Sequence, residues 1–328
     1  MRAVRSSWFP FLLGLIIIVV ISIDLFSGGN HQPILESIHR SFNENGEWVP
    51  PDPNDIPPGK AGDSIRYGMD LIVHTAKYLG PKGIVSQISN GMNCQNCHLS
   101  CGTIAFANPF SAVASTYPKY RERSGRVETI EWRINECMER SLNGHKLDSG
   151  SYEMKAMVAY LKWIGSGVPK GIKPRGSGTE MLPYLSRPAD TAKGRQVYIS
   201  RCKRCHGING EGLLQDSGSY TYPPLWNNHS YNVSAGMYTL SRLAGFVKNN
   251  MPYGTVTWKN PELTNEESWD VAAFINTQPR PEKFFVYDWP DVSKKPVDFP
   301  FGPYSDSFSQ WQHKYGPFEP IKKKKGKG

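Results

Sequence analysis

The feature that most constrains this chain is a pair of Cys-x-x-Cys-His motifs, because each commits three side chains within five residues to one task. The cysteines are Cys94 and Cys97 in the first motif and Cys202 and Cys205 in the second, followed by His98 and His206. This spacing is typical of c-type haem attachment, in which both thiols form thioethers and the histidine binds the iron. Zinc knuckles and thioredoxin-like redox pairs also contain Cys-x-x-Cys. Because histidine follows both copies directly, the sequence favours two covalently attached haem c groups.

The length and composition fit two small haem domains. A chain of 328 residues has room for two domains with terminal extensions, and 31 glycines and 26 prolines indicate much loop. Four of the six cysteines belong to the motifs, which leaves Cys101 and Cys137. Since haem c attachment normally follows export, the cysteine usage indicates an extracytoplasmic location.

The N-terminus carries an export signal. Arg2 and Arg5 precede an apolar run from Trp8 to Ile23, and no Ala-x-Ala cleavage site follows. We therefore predict an uncleaved transmembrane anchor over residues 1–26 rather than a removed signal peptide, with the rest of the chain on the periplasmic side of the inner membrane. Residues 27–62 are rich in proline and glycine and predict an irregular linker.

Hydrophobic periodicity predicts a mainly α fold with two tandem domains, at residues 63–169 and 189–280, joined by a glycine- and proline-rich connector at 170–188. In the first domain we predict helices between Asp63 and Gly80, from Val127 to Asn143-Gly144, and from Ser151 to Gly165. In the second we predict helices from Ala192 to Ser200 and from the capping box at Thr264 to Pro279. For residues 281–328 we expect an extended surface segment with a solvated basic tail at Lys322–Lys325.

The two halves repeat one plan, which predicts class I cytochrome c domains and helps to find the remaining iron ligands. Such domains supply the sixth ligand from the segment before the last helix. Met251 precedes Asn265 by 14 positions, and Met237 is its rival. The same 14 positions counted back from Ser151 lead to Cys137. A disulfide between Cys101 and Cys137 is the competing interpretation, and Met138 and His145 are fallback ligands.

Charged residues surround Cys137 on its predicted helix. Arg133, Cys137 and Ser141 stand at i, i+4 and i+8 and share one face, with Arg140 on the flank. A thiolate between guanidinium groups would be held deprotonated in a pocket that attracts small anions. The formal net charge of +9 favours anionic substrates or acidic partners in the same way.

Several segments of the chain resemble the dihaem thiosulfate dehydrogenases. The similar stretches are 117–125, 133–144, 153–163, 222–226 and 246–252. The resemblance implies oxidation of two thiosulfate anions to tetrathionate, or the reverse reaction that some members favour, with electrons passing to a cytochrome-type or membrane-complex acceptor. It also implies His98 and Cys137 as ligands of the active-site haem, and Arg123, Arg133 and Ser141 as anion-binding side chains.

One departure from the family bears on the second haem. Relatives can carry a lysine directly before the methionine ligand, but this chain has Asn250, so we expect plain ligation by His206 and Met251. Two rival functions remain open: a non-enzymatic, membrane-anchored dihaem electron carrier and a dihaem peroxidase. We expect no nucleic-acid partner.

Overall fold

The computed structural model describes residues 41–326, and most of its regular structure is helical. The helices are α1 (Gly59–Val73), α2 (Thr75–Leu79), α3 (Leu99–Gly102), α4 (Val113–Thr116), α5 (Ile130–Arg140), α6 (Tyr152–Ile164), α7 (Thr191–Val197), α8 (Lys203–His206), α9 (Leu240–Asn250), α10 (Asn265–Thr277), α11 (Gln310–Tyr315) and α12 (Glu319–Lys325). Two antiparallel hairpins pair β1 (Lys119–Arg121) with β2 (Arg126–Glu128) and β3 (Leu213–Leu214) with β4 (Tyr220–Tyr222).

In the first half of the molecule, α1 crosses α6, which is the helix predicted from Ser151 to Gly165. The crossing requires glycine, because a Cβ atom at Gly68 would lie 2.0 Å from the carbonyl oxygen of Ala156. The two backbones therefore approach more closely than any side chain would allow.

The second half uses the same device. Helix α7 crosses α10, and a Cβ atom at Gly194 would lie 1.9 Å from the carbonyl oxygen of Asp270. Between α7 and α8 the chain forms a π-helical turn, Tyr198–Cys202, that leads into the second motif. The first and last helices of both halves thus pack through one buried glycine.

The closing helices also begin alike, and both N-termini were predicted correctly. Ser151 caps α6 by accepting a hydrogen bond from the backbone N–H of Met154. Thr264 caps α10 through the predicted capping box with Glu267. These caps satisfy N–H groups that have no partner within the helix, so they set where each helix starts.

The two hydrophobic cores interlock across the halves. The core of the second half includes Leu99 and Ala107 from the first, and Cys97 packs against it. The core of the first half in turn includes Tyr220 from the second. The residues directly after the first motif are therefore buried against the second half, which holds the two motifs in a fixed relation.

Two predicted helices differ from the observed ones. Val127 lies in β2 and is exposed, so the helix that carries Cys137 begins only at Ile130, after the cap Thr129. The helix predicted between Asp63 and Gly80 begins earlier, at Gly59, and breaks at His74 into α1 and α2. The break occurs because His74 leaves helical geometry, with φ −119° and ψ 40°.

The C-terminal segment agrees with the prediction only in part: Lys322, Lys323 and Lys324 are exposed as expected, but the segment is not extended throughout. Residues 281–326 contain the short helices α11 and α12, and His313, Phe318 and Ile321 are buried. Phe318 and Ile321 join the core of the second half, while the ammonium group of Lys325 donates to the carbonyl oxygens of Ser293 and Lys295. The apolar anchors are too few and too widely separated by proline to show a period in the sequence.

None of the helices within residues 41–326 is long and apolar enough to cross a membrane. The anchor predicted for residues 1–26 lies outside the described residues.

Candidate active site

The first motif presents a histidine whose tautomer is set by the backbone. Nδ1 of His98 lies 2.6 Å from the carbonyl oxygen of Asn108. Since a carbonyl only accepts, Nδ1 carries the proton and Nε2 keeps a free lone pair, as an iron ligand requires. The ring stacks on Phe110, with 4.5 Å between centroids, and burial lowers the pKa of His98 to about 4. The residues present fit a c-type haem.

The second motif is arranged in the same way. Nδ1 of His206 donates to the carbonyl oxygen of Pro223 at 2.8 Å, which again leaves Nε2 free. The histidine borders a cavity of about 700 Å³, a volume in the range of cofactor sites. Cys202, Cys205 and Met251 line this cavity, and so does Cys97 of the first motif.

Both candidate methionines lie beside this cavity. Met251 directly follows α9 as its C-cap residue, and Met237 lines the same space. Sδ of Met237 lies 3.8 Å from Nδ2 of Asn108, so a residue of the first half already contacts it. The thioether sulfur of Met251 makes no such contact within residues 41–326, and the side chain packs against the second core.

Cys137 lies on α5 beside the first motif and not in a disulfide. Cys101 and Cys137 are both free in the structure. Burial raises the pKa of Cys97 to about 12, and the charge of Cys137 is its next largest cause; the charge of Cys137 also acts on Cys94. The carbonyl oxygen of Cys101 accepts a hydrogen bond from the hydroxyl of Tyr160. Of the fallback ligands, Met138 is buried in the first core and His145 is exposed.

A network of ion pairs with alternating charges begins on α5 and continues beyond it. The guanidinium of Arg133 pairs with Glu136 at 2.9 Å, and Glu136 pairs with Arg140 at 3.4 Å. Arg140 pairs with Asp288 at 2.7 Å, and Asp288 pairs with Arg123 at 2.8 Å. The charge of Cys137, assisted by Glu136 and opposed by desolvation, raises the pKa of Arg133.

The carboxylates of this ion-pair network, Glu136 and Asp288, were not predicted as site residues from the sequence. Arg123 donates through Nε to Asp288 at 2.9 Å and through Nη2 to the carbonyl oxygen of Ser234 at 2.7 Å. Burial, and then the charge of Arg140, lowers the pKa of Arg123 to about 10 although Asp288 opposes the shift. Glu136 was visible on the helix at i+3 from Arg133, but no local pattern links residue 288 to residue 123.

The remaining predicted residue, Ser141, ends the helix one turn beyond Cys137. It is half-buried, and its backbone N–H donates to the carbonyl oxygen of Cys137 at 2.9 Å. Sequence spacing therefore places Arg133, Cys137 and Ser141 on one stretch of helix, while the tertiary fold supplies Arg123 from the loop between β1 and β2.

Two more basic groups approach the same stretch from β1. Arg121 lies 3.8 Å from the fully buried carboxylate of Glu128. Desolvation, followed by the charges of Arg121, Lys173 and Arg133, lowers the pKa of Lys119. The surroundings of Cys137 are therefore rich in cations that repel one another, and such a region favours the binding of an anion.

Two helical units, each with a Cys-x-x-Cys-His motif whose histidine is oriented by a backbone carbonyl, define a tandem c-type cytochrome. Consistent with this class, residues 85–169 match the family model described as the SoxA/TsdA cytochrome c domain, and residues 191–279 match cytochrome c.

The curated relatives narrow this class. The chain is 38% identical over 242 residues to a thiosulfate dehydrogenase of Psychrobacter arcticus, which covers 74% of this chain and 71% of that protein. It is 40% identical over 230 residues to a thiosulfate dehydrogenase of Allochromatium vinosum, which covers 69% of this chain and 82% of that protein. The chain belongs to the thiosulfate dehydrogenase family.

A solved structure is similar as well. It is thiosulfate dehydrogenase (TsdBA) from Marichromatium purpuratum, with a TM-score of 0.69 and 32% identity over 80% of this chain. The match covers 54% of that chain, so the present protein spans about half of its length.

Proposed function

We propose that the protein is a periplasmic dihaem cytochrome c that oxidises two thiosulfate anions to one tetrathionate. The reaction forms one S–S bond and releases two electrons, and it can run in reverse as tetrathionate reduction. The observation that carries the proposal is the position of Cys137: a free thiol beside the first motif and one helical turn from the guanidinium of Arg133. The named activity of the similar curated proteins supports the same reaction.

We assign the two haem c groups to distinct ligand sets. Cys94 and Cys97 would attach the first, and His98 and Cys137 would bind its iron. Cys202 and Cys205 would attach the second, and His206 and Met251 would bind its iron. When bound, the haems supply one-electron redox chemistry at two potentials, because thiolate favours ferric iron and thioether sulfur favours ferrous iron.

The protein's own groups bring the substrates together. Two thiosulfate dianions repel each other strongly in a site of low dielectric, so cationic side chains must offset that repulsion. Arg133 reaches the site from the helix of Cys137, and Arg123 is held by Asp288 with Nη1 left over for an anion. The hydroxyl of Ser141 supplies a neutral donor one turn further on.

Electrons leave by way of the second motif. Cys97 packs against the second core and lines the cavity of Cys202 and His206, so the two attachment sites lie next to each other. We propose that a cytochrome-type protein or a membrane complex accepts the electrons outside the inner membrane. The N-terminal apolar run would anchor the protein there, or be removed after export.

The test is the Cys137→Gly variant in the full haem-loaded protein, with Cys101→Ser as its matched control. We expect Cys137→Gly to lose thiosulfate-driven haem reduction while both haems stay attached, because it removes the proposed ligand and none of the attachment cysteines. Haem content is read by mass and absorbance, and reduction by the visible bands. Wild-type turnover in Cys137→Gly would reject the assignment. A wild-type protein whose haems thiosulfate does not reduce would instead be an electron carrier.

A further inference from the structure

The ion pairs along α5 leave little positive charge for substrate. Three guanidinium groups, those of Arg123, Arg133 and Arg140, share two carboxylates, those of Glu136 and Asp288. One positive charge therefore remains in this ion-pair network, and a Cys137 thiolate would cancel it. Because two thiosulfate anions carry four negative charges, side chains outside the network have to contribute.

A segment of the second domain lies against this region. We call residues 230–242 the interdomain segment. Asn232, fully buried, donates through its backbone N–H to the carbonyl oxygen of Arg140 and through Nδ2 to the carbonyl oxygen of Glu139. The carbonyl oxygen of Ser234 accepts from Arg123.

The same segment also reaches the first haem motif. Met237 contacts Asn108, whose carbonyl oxygen holds His98. The interdomain segment therefore follows the first-domain site from the C-terminal end of α5 to the proximal histidine, and it is held there by buried hydrogen bonds.

Arg242 ends this segment in the first turn of α9 and has no protein partner. Its side chain reaches solvent although protein atoms surround its guanidinium, and it forms neither a hydrogen bond nor an ion pair with any residue in the described part of the chain. The guanidinium folds back along the segment, since a Cβ atom at Gly236 would lie 3.1 Å from its Nη1. The adjacent carboxylate, Asp298, is occupied by the backbone N–H of Ser241 at 2.7 Å.

Arg242 lies within electrostatic range of cations of the first domain. Desolvation, followed by the charges of Arg133 and Arg121, lowers its pKa, and Asp298 opposes the shift. Arg133 and Arg121 each pair with a carboxylate, whereas Arg242 pairs with none in the described part of the chain. The repulsion that Arg242 adds raises the energy of the empty site, and a bound anion relieves it.

We propose that Arg242 is a specificity-determining residue that binds the oxoanion end of a thiosulfate, so that the substrate site spans both domains. This inference rests on the proposed function. Arginine suits the task because its planar fork donates two parallel hydrogen bonds to a tetrahedral oxoanion. The helix of Cys137 supplies one set of donors, and the second domain supplies the opposing one.

The test measures thiosulfate kinetics of Arg242→Gln in the haem-loaded protein. We expect KM to rise about tenfold or more, as for loss of one charged hydrogen bond, with kcat changed little. The inhibition constant for sulfate, a dianion that the enzyme cannot oxidise, should rise in parallel. Arg242→Lys should recover part of the loss. Arg195→Gln is the matched control, because Arg195 is an exposed arginine of the same domain on α7.

The outcomes are separable. An active wild type with an unchanged KM and sulfate inhibition constant in Arg242→Gln overturns this inference and leaves the proposed function standing. A lower kcat at unchanged KM also overturns it, since Arg242 would then act on a step after binding. A wild type that thiosulfate does not reduce overturns both. If Arg242→Gln fails to retain its haems, Arg242→Lys decides: a KM equal to that of the wild type rejects the proposal, and a raised KM supports it.

Discussion

The two haem motifs are supported by almost identical elements, but the residues proposed as the second iron ligands lie in different surroundings. In both, a backbone carbonyl fixes the histidine tautomer, a glycine joins the first and last helices, and a side-chain cap starts the last helix. Beside the first motif lies Cys137, on a polar helix within a network of ion pairs. Beside the second lies Met251, at the edge of a mainly apolar cavity. We propose that one scaffold carries two chemistries, and that these two residues distinguish them.

The largest test makes the two distal residues alike with Cys137→Met. We expect the potential of the first haem to rise by on the order of 0.3 V, within the range of about 0.8 V that axial ligands cover, and turnover to be lost. The physical reason is that a neutral thioether no longer stabilises ferric iron. A spectroelectrochemical titration of the whole protein measures both potentials.

The reciprocal variant, Met251→Cys, is its control. It should lower the potential of the second haem only. If neither potential moves in its variant, the assignment of Cys137 and Met251 as ligands is wrong, and Met138, His145 or Met237 should be substituted next.

A smaller effect is expected from Asp288→Asn, which breaks the ion pairs of Asp288 with Arg123 and Arg140 near the first motif. The free energy of unfolding should fall by about 3 kcal/mol, because the change leaves two largely buried guanidinium groups with one carboxylate fewer. Arg140 is 2% exposed and Arg123 is 14% exposed, so water compensates little. Urea unfolding at neutral pH measures the loss.

Glu282→Gln controls for the charge change, since Glu282 is an exposed carboxylate of the same extension. An equal loss in both variants would show that the position of Asp288 is unimportant. A value near zero for Asp288→Asn would mean that the C-terminal extension does not stabilise the first domain.

The smallest effect on the free energy of unfolding is expected from the N-caps of the closing helices, which the two halves share. Ser151→Ala and Thr264→Ala each remove an N-cap, and each should lower the free energy of unfolding by about 1 kcal/mol. Each hydroxyl also makes a second hydrogen bond, from Ser151 to the carbonyl oxygen of Asp148 and from Thr264 to Glu267, so similar losses are expected. Chemical denaturation measures both variants. Losses that differ by more than about 1 kcal/mol would contradict the equivalence of the two scaffolds.

Much of the architecture could be predicted because its signals are local. Haem attachment motifs occupy five residues, helix caps act over three, and the same step of 14 positions before each closing helix leads to Cys137 and Met251. A predicted helix start was wrong where the same residue could also pair in a β-hairpin. Val127 continues the apolar spacing of α5, but it pairs with Tyr120 in a hairpin instead.

Sequence patterns alone were enough for two cytochrome c units, their covalent motifs and the placement of Cys137 on a helix with Arg133. The tertiary structure decided that no disulfide joins Cys101 to Cys137, that Asp288 joins Arg123 and Arg140, and that charges of the first domain act on Arg242. The physical reason is range. Helical periodicity connects residues within a few turns, whereas Asp288 is 165 positions from Arg123. Only the packing of the C-terminal extension against the first domain brings these charges together.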